Sequence, residues 1–224
     1  MSCVLLPVLI YGIYGSIMEN KEKKTRLLQA IAEEVKACTK CQLCRYRKNT
    51  VPGEGNVETD VMFIGEGPGY WEDVKGRPFV GQAGKLLDSL LKSIGISREK
   101  VYITNIVKCR PPGNRDPQGE EIDQCRRYLV KQIEIIEPKV ICTLGRFAFR
   151  VISERSRSIS FQHGIPFKKE NFTVFPLYHP AAALHQSPLL GVLKDDFIKL
   201  STLLASLTEE EKEEKKSKQM ELFS

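Results

Sequence analysis

The chain reads as an α/β protein: a three-layer α/β/α domain around a mainly parallel, four-stranded sheet. Two observations predict it: short continuous apolar runs alternate with segments of helical period throughout residues 27–207, and the loops that follow the apolar runs carry the glycines and polar residues typical of strand-end sites. Leu27, Leu28, Ile31 and Val35 recur at helical spacing and predict the first helix, which delivers the chain to Cys38. Val61-Met62-Phe63-Ile64 is a buried strand, because an uninterrupted apolar run of this length suits a sheet covered on both faces. Leu86, Leu87, Leu90, Leu91 and Ile94 mark the next helix, and residues 101–107 the second strand. Ile122, Leu129, Ile133 and Ile136 predict a third helix, residues 140–144 the third strand, and residues 147–152 a short helix. Residues 172–178 form the fourth strand, and residues 189–207 the closing helix. A mainly parallel sheet places its ligand site beyond the carboxyl ends of its strands.

With 224 residues and 42% hydrophobic content, the chain suffices for one well-buried domain. The net charge of +6 suits a polyanionic partner without requiring one. Residues 4–17 are apolar but interrupted by Pro7, Gly12 and Gly15, with no basic residue before them. They are too short for a membrane span of about 20 residues and lack the positive start of a secretion signal. Met18, followed by a charged stretch, is the more natural beginning, so residues 1–17 are expected to be a non-native or disordered leader, residues 18–207 the domain, and the protein a cytoplasmic monomer. Residues 208–224 are a charged tail, a solvated helix extension or a disordered segment.

Seven cysteines are present, three of them in the run Cys38-x2-Cys41-x2-Cys44, with Cys109 and Cys125 far downstream. Thiols from segments so distant must be gathered by the fold. A zinc knot, an iron–sulfur cluster and separate buried cysteines are the three readings, and C-x2-C spacing alone admits Cys38/Cys41 and Cys41/Cys44 equally. Cys142, in a strand, is expected in the core.

The strand-end loops hold the remaining unusual residues. Gly65-Glu66-Gly67-Pro68-Gly69, then Glu72 and Gly76-Arg77-Pro78-Phe79-Val80-Gly81, follow the first strand. The second leads through Thr104-Asn105-Ile106-Val107-Lys108 into Cys109-Arg110-Pro111-Pro112-Gly113-Asn114-Arg115, and the fourth into His179-Pro180-Ala181-Ala182-Ala183-Leu184. Three loops at one sheet edge thus bring together a carboxylate, an amide, an imidazole and an exposed aromatic, which is a pocket.

These four motifs, in this order over about residues 38–203, resemble those of the family 4 uracil-DNA glycosylases, the iron–sulfur branch of that superfamily. The resemblance implies a [4Fe–4S] cluster on Cys38, Cys41, Cys109 and Cys125, leaving Cys44 outside the ligand set. It implies an enzyme that flips uracil from DNA, single- or double-stranded, and hydrolyses its glycosidic bond. His179 would donate a hydrogen bond to the anion developing on the base, and Asn105 would read the uracil edge, where cytosine has the wrong donor pattern. Phe79 would stack on the flipped ring, and Glu72 would wall off the position of the thymine methyl. The best-known uracil glycosylases carry a water-activating Asp where this chain has Gly67, so Glu66, the nearest carboxylate, or Asn114 would position the water. Lys108, Arg110 and Arg115 would face DNA, while Ala182, Leu184 and His185, in an apolar segment with Ala183, would press into the minor groove. His163 is read as a loop residue without a role.

Two readings of other classes compete. A noncatalytic, metal-stapled nucleic-acid-binding module would not need Asn105 together with His179, and a small electron carrier would not need the pocket. The absence of a His-bearing insertion after the second strand sets aside the superfamily branch that forms a covalent DNA adduct. Finally, Gln219, Leu222 and Phe223 have the spacing of a short peptide that docks on a sliding clamp, presented by the charged tail.

Overall fold

The computed structural model describes the backbone of residues 5–155 and 157–221, and most side chains from Met18 on. Helix α1 (Leu5–Lys36) precedes a 3-10 turn (Gln42–Arg45) and strands β1 (Glu54–Gly55) and β2 (Val61–Gly65). Then come α2 (Tyr70–Lys75), α3 (Gln82–Ser93), β3 (Tyr102–Asn105), α4 (Gly119–Ile136), β4 (Val140–Leu144) and α5 (Arg146–Ser153). Strands β5 (Phe167–Lys169) and β6 (Phe172–Leu177) and helices α6 (Pro180–His185) and α7 (Ser187–Glu221) complete the chain.

The sheet has six strands in the order β1-β3-β2-β4-β6-β5, not the four expected. The four predicted strands are its parallel centre, with Phe63 opposite Ile103 and Cys142, and Cys142 opposite Phe175. The two additions are antiparallel edges, β1 on β3 and β5 on β6. Both are two or three residues long and at most half-buried, so neither leaves an apolar run in the sequence.

Alternation along each strand builds a core on each face. Met62, Ile64, Ile141 and Val174 meet α1, α4 and α5, while Phe63, Ile103, Cys142 and Phe175 meet α3, α6 and α7. Helix α1 lies along α4, where Lys24 donates to the Ile136 carbonyl at 3.1 Å and Glu34 pairs with Arg127 and Lys131. Helix α7 runs on through residues 208–221, whose described side chains are exposed. Leu222 and Phe223 lie outside the described residues. Among the described residues, no helix is long and apolar enough to cross a membrane.

Because β2, β3, β4 and β6 run parallel, their carboxyl ends share one edge. The chain passes from β2 to β3 on one side and then to β4 on the other, so the sheet order reverses at β2, where α/β sheets open a crevice.

Candidate active site

The crevice is a cavity of about 320 Å³, lined by Glu66, Gly67, Gly69, Glu72, Phe79, Asn105, Asn114, Arg115, His179 and Ala181, among others. Its floor is locked by backbone bonds between the loops after β2 and β3: Ile106 N–H donates to the Gly65 carbonyl at 2.9 Å and Val107 N–H to that of Glu66 at 3.1 Å.

Asn105, at the end of β3, is 1% exposed, and its side-chain oxygen has no hydrogen-bond partner among the described residues. An amide oxygen stripped of water and left unpaired costs about 1–3 kcal/mol, so this acceptor awaits a donor from a ligand. The space above it depends on Gly65. A Cβ there would run into the Asn105 amide oxygen and lie 2.6 Å from the Phe79 ring. Gly65→Ala is therefore expected to abolish ligand binding in this cavity while thermal melting shows a folded domain. Unchanged substrate affinity would contradict that account.

Phe79 lies across the cavity and adopts a left-handed backbone, with φ of 50°. Such a conformation in a non-glycine residue costs on the order of 1–3 kcal/mol and persists only where the surroundings fix it. Two side chains do so. Arg98 donates to the Pro78 and Phe79 carbonyls at 2.5 and 3.2 Å, while itself paired with Glu54 and Asp88. The Glu72 carboxylate accepts from Val80 and Gly81 N–H, both at 2.8 Å. The Phe79 ring, expected to be exposed, is 4% exposed and stacks on His179 with centroids 5.6 Å apart.

His179 ends the loop after β6. Its Nδ1 accepts the Ala181 N–H at 3.1 Å, so in the neutral ring the proton sits on Nε2. Burial pushes the imidazole down to about 4, against a weaker upward pull from Glu72, so the ring is a neutral donor at physiological pH. Behind it, His163 bonds the fully buried Asp196 at 2.6 Å and packs on Tyr178 with ring centroids 4.7 Å apart. His163, to which the sequence assigns no role, thus braces the loop that presents His179. Glu66, half-buried at the cavity wall, is pushed up to about 7, chiefly by burial and then by Asp116, with Arg146 opposing.

A model of the uracil DNA glycosylase superfamily matches residues 52–199. The type-4 uracil-DNA glycosylase of Saccharolobus solfataricus is 50% identical over 188 residues, covering 80% of this chain and 87% of that protein. That of Archaeoglobus fulgidus is 46% identical over 184 residues, covering 79% and 92%. The chain belongs to the type-4 uracil-DNA glycosylases. A type-5 uracil-DNA glycosylase of Pyrobaculum aerophilum is more distant, at 30% identity over 164 residues, covering 66% of this chain and 72% of that protein.

Within this type-4 framework, one expected DNA contact, Lys108, is corrected. Lys108 is fully buried, and its ammonium donates to Thr104 Oγ1, the Asn105 carbonyl and Gln132 Oε1 at 2.6, 2.9 and 2.7 Å. Burial pushes it down to about 7, and it cannot reach DNA. Instead it pins Asn105 to α4, a role invisible in a sequence where every lysine looks like a surface residue. Arg115 is engaged by Glu121 in two bonds of 2.6 and 2.9 Å, which hold its loop on the start of α4. Ala183 is in the core, whereas Leu184 and His185 are exposed on α6 and Ala182 is half-buried beside them. Arg110 is half-exposed, its Nε donating at 2.8 Å to the Oδ1 of Asn114, which lines the cavity.

Around the far side of the same loop, Cys38, Cys41, Cys44, Cys109 and Cys125 line a second, small cavity. None forms a disulfide. Burial raises the Cys41, Cys109 and Cys125 thiols, Cys125 to about 11, and the neighbouring sulfurs raise them further. Hydrogen-bond donors oppose this, among them Arg47 to Cys109 Sγ at 3.2 Å and the Lys108 N–H to Cys125 Sγ at 3.3 Å. Gln42 bonds Gln118 and Glu121, tying the Cys-bearing turn to the capping box of α4. Among the described residues, no three His, Cys, Asp or Glu side chains are close enough together to hold a single metal ion.

Proposed function

We propose that Asn105, His179, Phe79 and Glu66 carry the uracil excision that this family performs at the start of base excision repair. The observation that carries the reading is one cavity lined by Asn105, whose buried side-chain oxygen has no partner among the described residues, and by a neutral His179 with its proton on Nε2. The uracil N3–H is the donor that this oxygen lacks, and the Asn105 amino group meets O4. Cytosine offers an acceptor at N3 and a donor at C4, two mismatches in a dry site. Phe79 supplies the stacking face. Glu72, with one oxygen committed to the 80–81 backbone, holds Phe79 in place as well as walling the cavity, and Gly67 leaves room at the base's edge.

As the C1′–N1 bond breaks, its electron pair passes into the uracil ring, and charge grows on O2, where the His179 Nε2–H stabilises it. A water adds its oxygen to C1′ and gives its proton to the Glu66 carboxylate, which Asn114 helps to position. The leaving uracil anion is protonated after departure. Arg110, Leu184 and His185 form the rim for DNA. Acting as a base, Glu66 must be ionised, so the single-turnover rate is expected to rise with pH through about 7 and then level off. Glu66→Gln should remove this rise; a wild-type profile in the variant would exclude Glu66 as the base.

The thiol cavity suits the [4Fe–4S] cluster of this reading, with Cys38, Cys41, Cys109 and Cys125 as ligands. Cys109 and Cys125 belong to the core cluster with α1 and α4 and Cys38 and Cys41 pack against it, whereas Cys44 lines the cavity without joining that cluster. Four thiols lining one small cavity, two of them, Cys109 and Cys125, accepting N–H donors, suit cationic iron. When bound, the cluster supplies a cross-link between the N-terminal segment and the loop that carries Asn105. The protein is proposed to act as a cytoplasmic monomer, where free thiols persist, with Gln219, Leu222 and Phe223 as a clamp-docking peptide.

The test is incubation with a labelled oligonucleotide bearing one uracil, followed by alkali. Strand cleavage at uracil alone is expected. No abasic site, with either single- or double-stranded substrate, would overturn the reading.

A further inference from the structure

Between Gly69 and Glu72, which both line the active-site cavity, stand two large aromatic residues that no catalytic role uses. Tyr70 and Trp71 are each 53% exposed and contact each other edge to face, with centroids 5.1 Å apart. The indole of Trp71 also lies beside Gly81, its Cδ1 3.6 Å from where a side chain there would begin. The Arg110 guanidinium sits 5.2 Å from the Tyr70 ring centre. Two adjacent aromatics held more than half in water, at the mouth of a site and beside a cation, have the chemistry of a base-stacking platform: π faces for nucleobases and positive charge for the connecting phosphate.

We infer that Tyr70 and Trp71, with Arg110, form a subsite for the DNA strand beside the flipped uracil, where an adjacent, unstacked base rests on the aromatic pair. The inference builds on the glycosylase reading and deepens it. Flipping a nucleotide breaks the stacking of its neighbours, and a platform at the cavity mouth replaces part of what they lose. Because stacking accepts any base, the subsite would favour single-stranded or locally opened DNA over a rigid duplex without adding sequence preference.

Trp71 is the chain's only tryptophan, so its fluorescence reports on the subsite directly. The probe is a single-stranded oligonucleotide carrying 2′-fluoro-2′-deoxyuridine, whose electron-withdrawing fluorine disfavours the cationic sugar and blocks cleavage. A second version replaces the flanking bases with abasic spacers. Binding of the first should quench Trp71. Its affinity should exceed that of the spacer version by about tenfold for each stacked base lost. The Tyr70→Ala/Trp71→Ala variant should bind both versions alike, whereas Tyr70→Phe/Trp71→Phe, which keeps the rings, should restore the preference for flanking bases. An unchanged Trp71 signal at saturation, or the same preference in the alanine variant as in the wild type, would overturn the subsite. These arms need no chemistry, so they decide the platform separately from the uracil-excision assay.

Discussion

Replacing His179 or Asn105 by alanine is expected to lower the single-turnover rate of uracil excision by about 100-fold or more, the scale on which one positioned transition-state donor counts. The two losses differ in kind. Without His179, the charge growing on O2 faces the cavity with no donor. Binding of intact substrate should therefore change little, while the rate falls. Without Asn105, the base edge is unread, so affinity for uracil and its advantage over cytosine should fall together with the rate. The neutral state of His179 fixes the pH arm. Burial holds it down to about 4, so its titration cannot produce a rate change between pH 6 and 8; Glu66 and Lys108 are both held near 7, and the Glu66→Gln profile separates the two. Near-normal single-turnover rates in both alanine variants would show that the cavity is not where the base is cleaved.

The second large effect concerns the thiols. Wild-type protein should be brown, with about four irons per chain. Cys125→Ser should lose colour and iron, because Cys125 is buried on α4 and receives the Lys108 N–H. The proposed cluster would join segments far apart in sequence. By analogy with a cross-link closing a loop of this size, its loss should cost about 3–5 kcal/mol, or roughly 6–20 °C in melting temperature for a domain this large. Cys44→Ser, in the same cavity but outside the core cluster, should keep iron and stability. A colourless wild-type protein with one zinc, or iron loss in Cys44→Ser equal to that in Cys125→Ser, would overturn the assignment.

Arg98 and Lys108 show where reading from sequence stops. Neither lies in a motif that announces its part: Arg98 holds Phe79 through backbone carbonyls twenty residues back, and Lys108 holds Asn105 from inside the core. The signal for Lys108 was its place between Val107 and Cys109, both buried, but a lysine's charge argues for the surface unless partners such as Thr104 and Gln132 are already known to surround it. Tyr70 and Trp71 pose the opposite problem. Aromatic residues in a helix read as core, and only the packing of α2 leaves them in water.

By itself the sequence determined the alternation of strands and helices, the parallel centre of the sheet, the two cysteine-bearing segments and the motif residues Glu66, Phe79, Asn105 and His179. Each of these is written in local periodicity, spacing or residue type, which survive without coordinates. Only the tertiary structure decided that Phe79 is buried in a strained conformation, that Asn105 keeps an unpaired oxygen, that His179 is neutral with its proton on Nε2, and that Lys108 faces inward. Those properties depend on which groups meet across the sheet edge and how much water they exclude. Burial, partner geometry and pKa depend on contacts between residues distant in sequence, such as Phe79 with His179 and Lys108 with Gln132, over which local pattern carries no information.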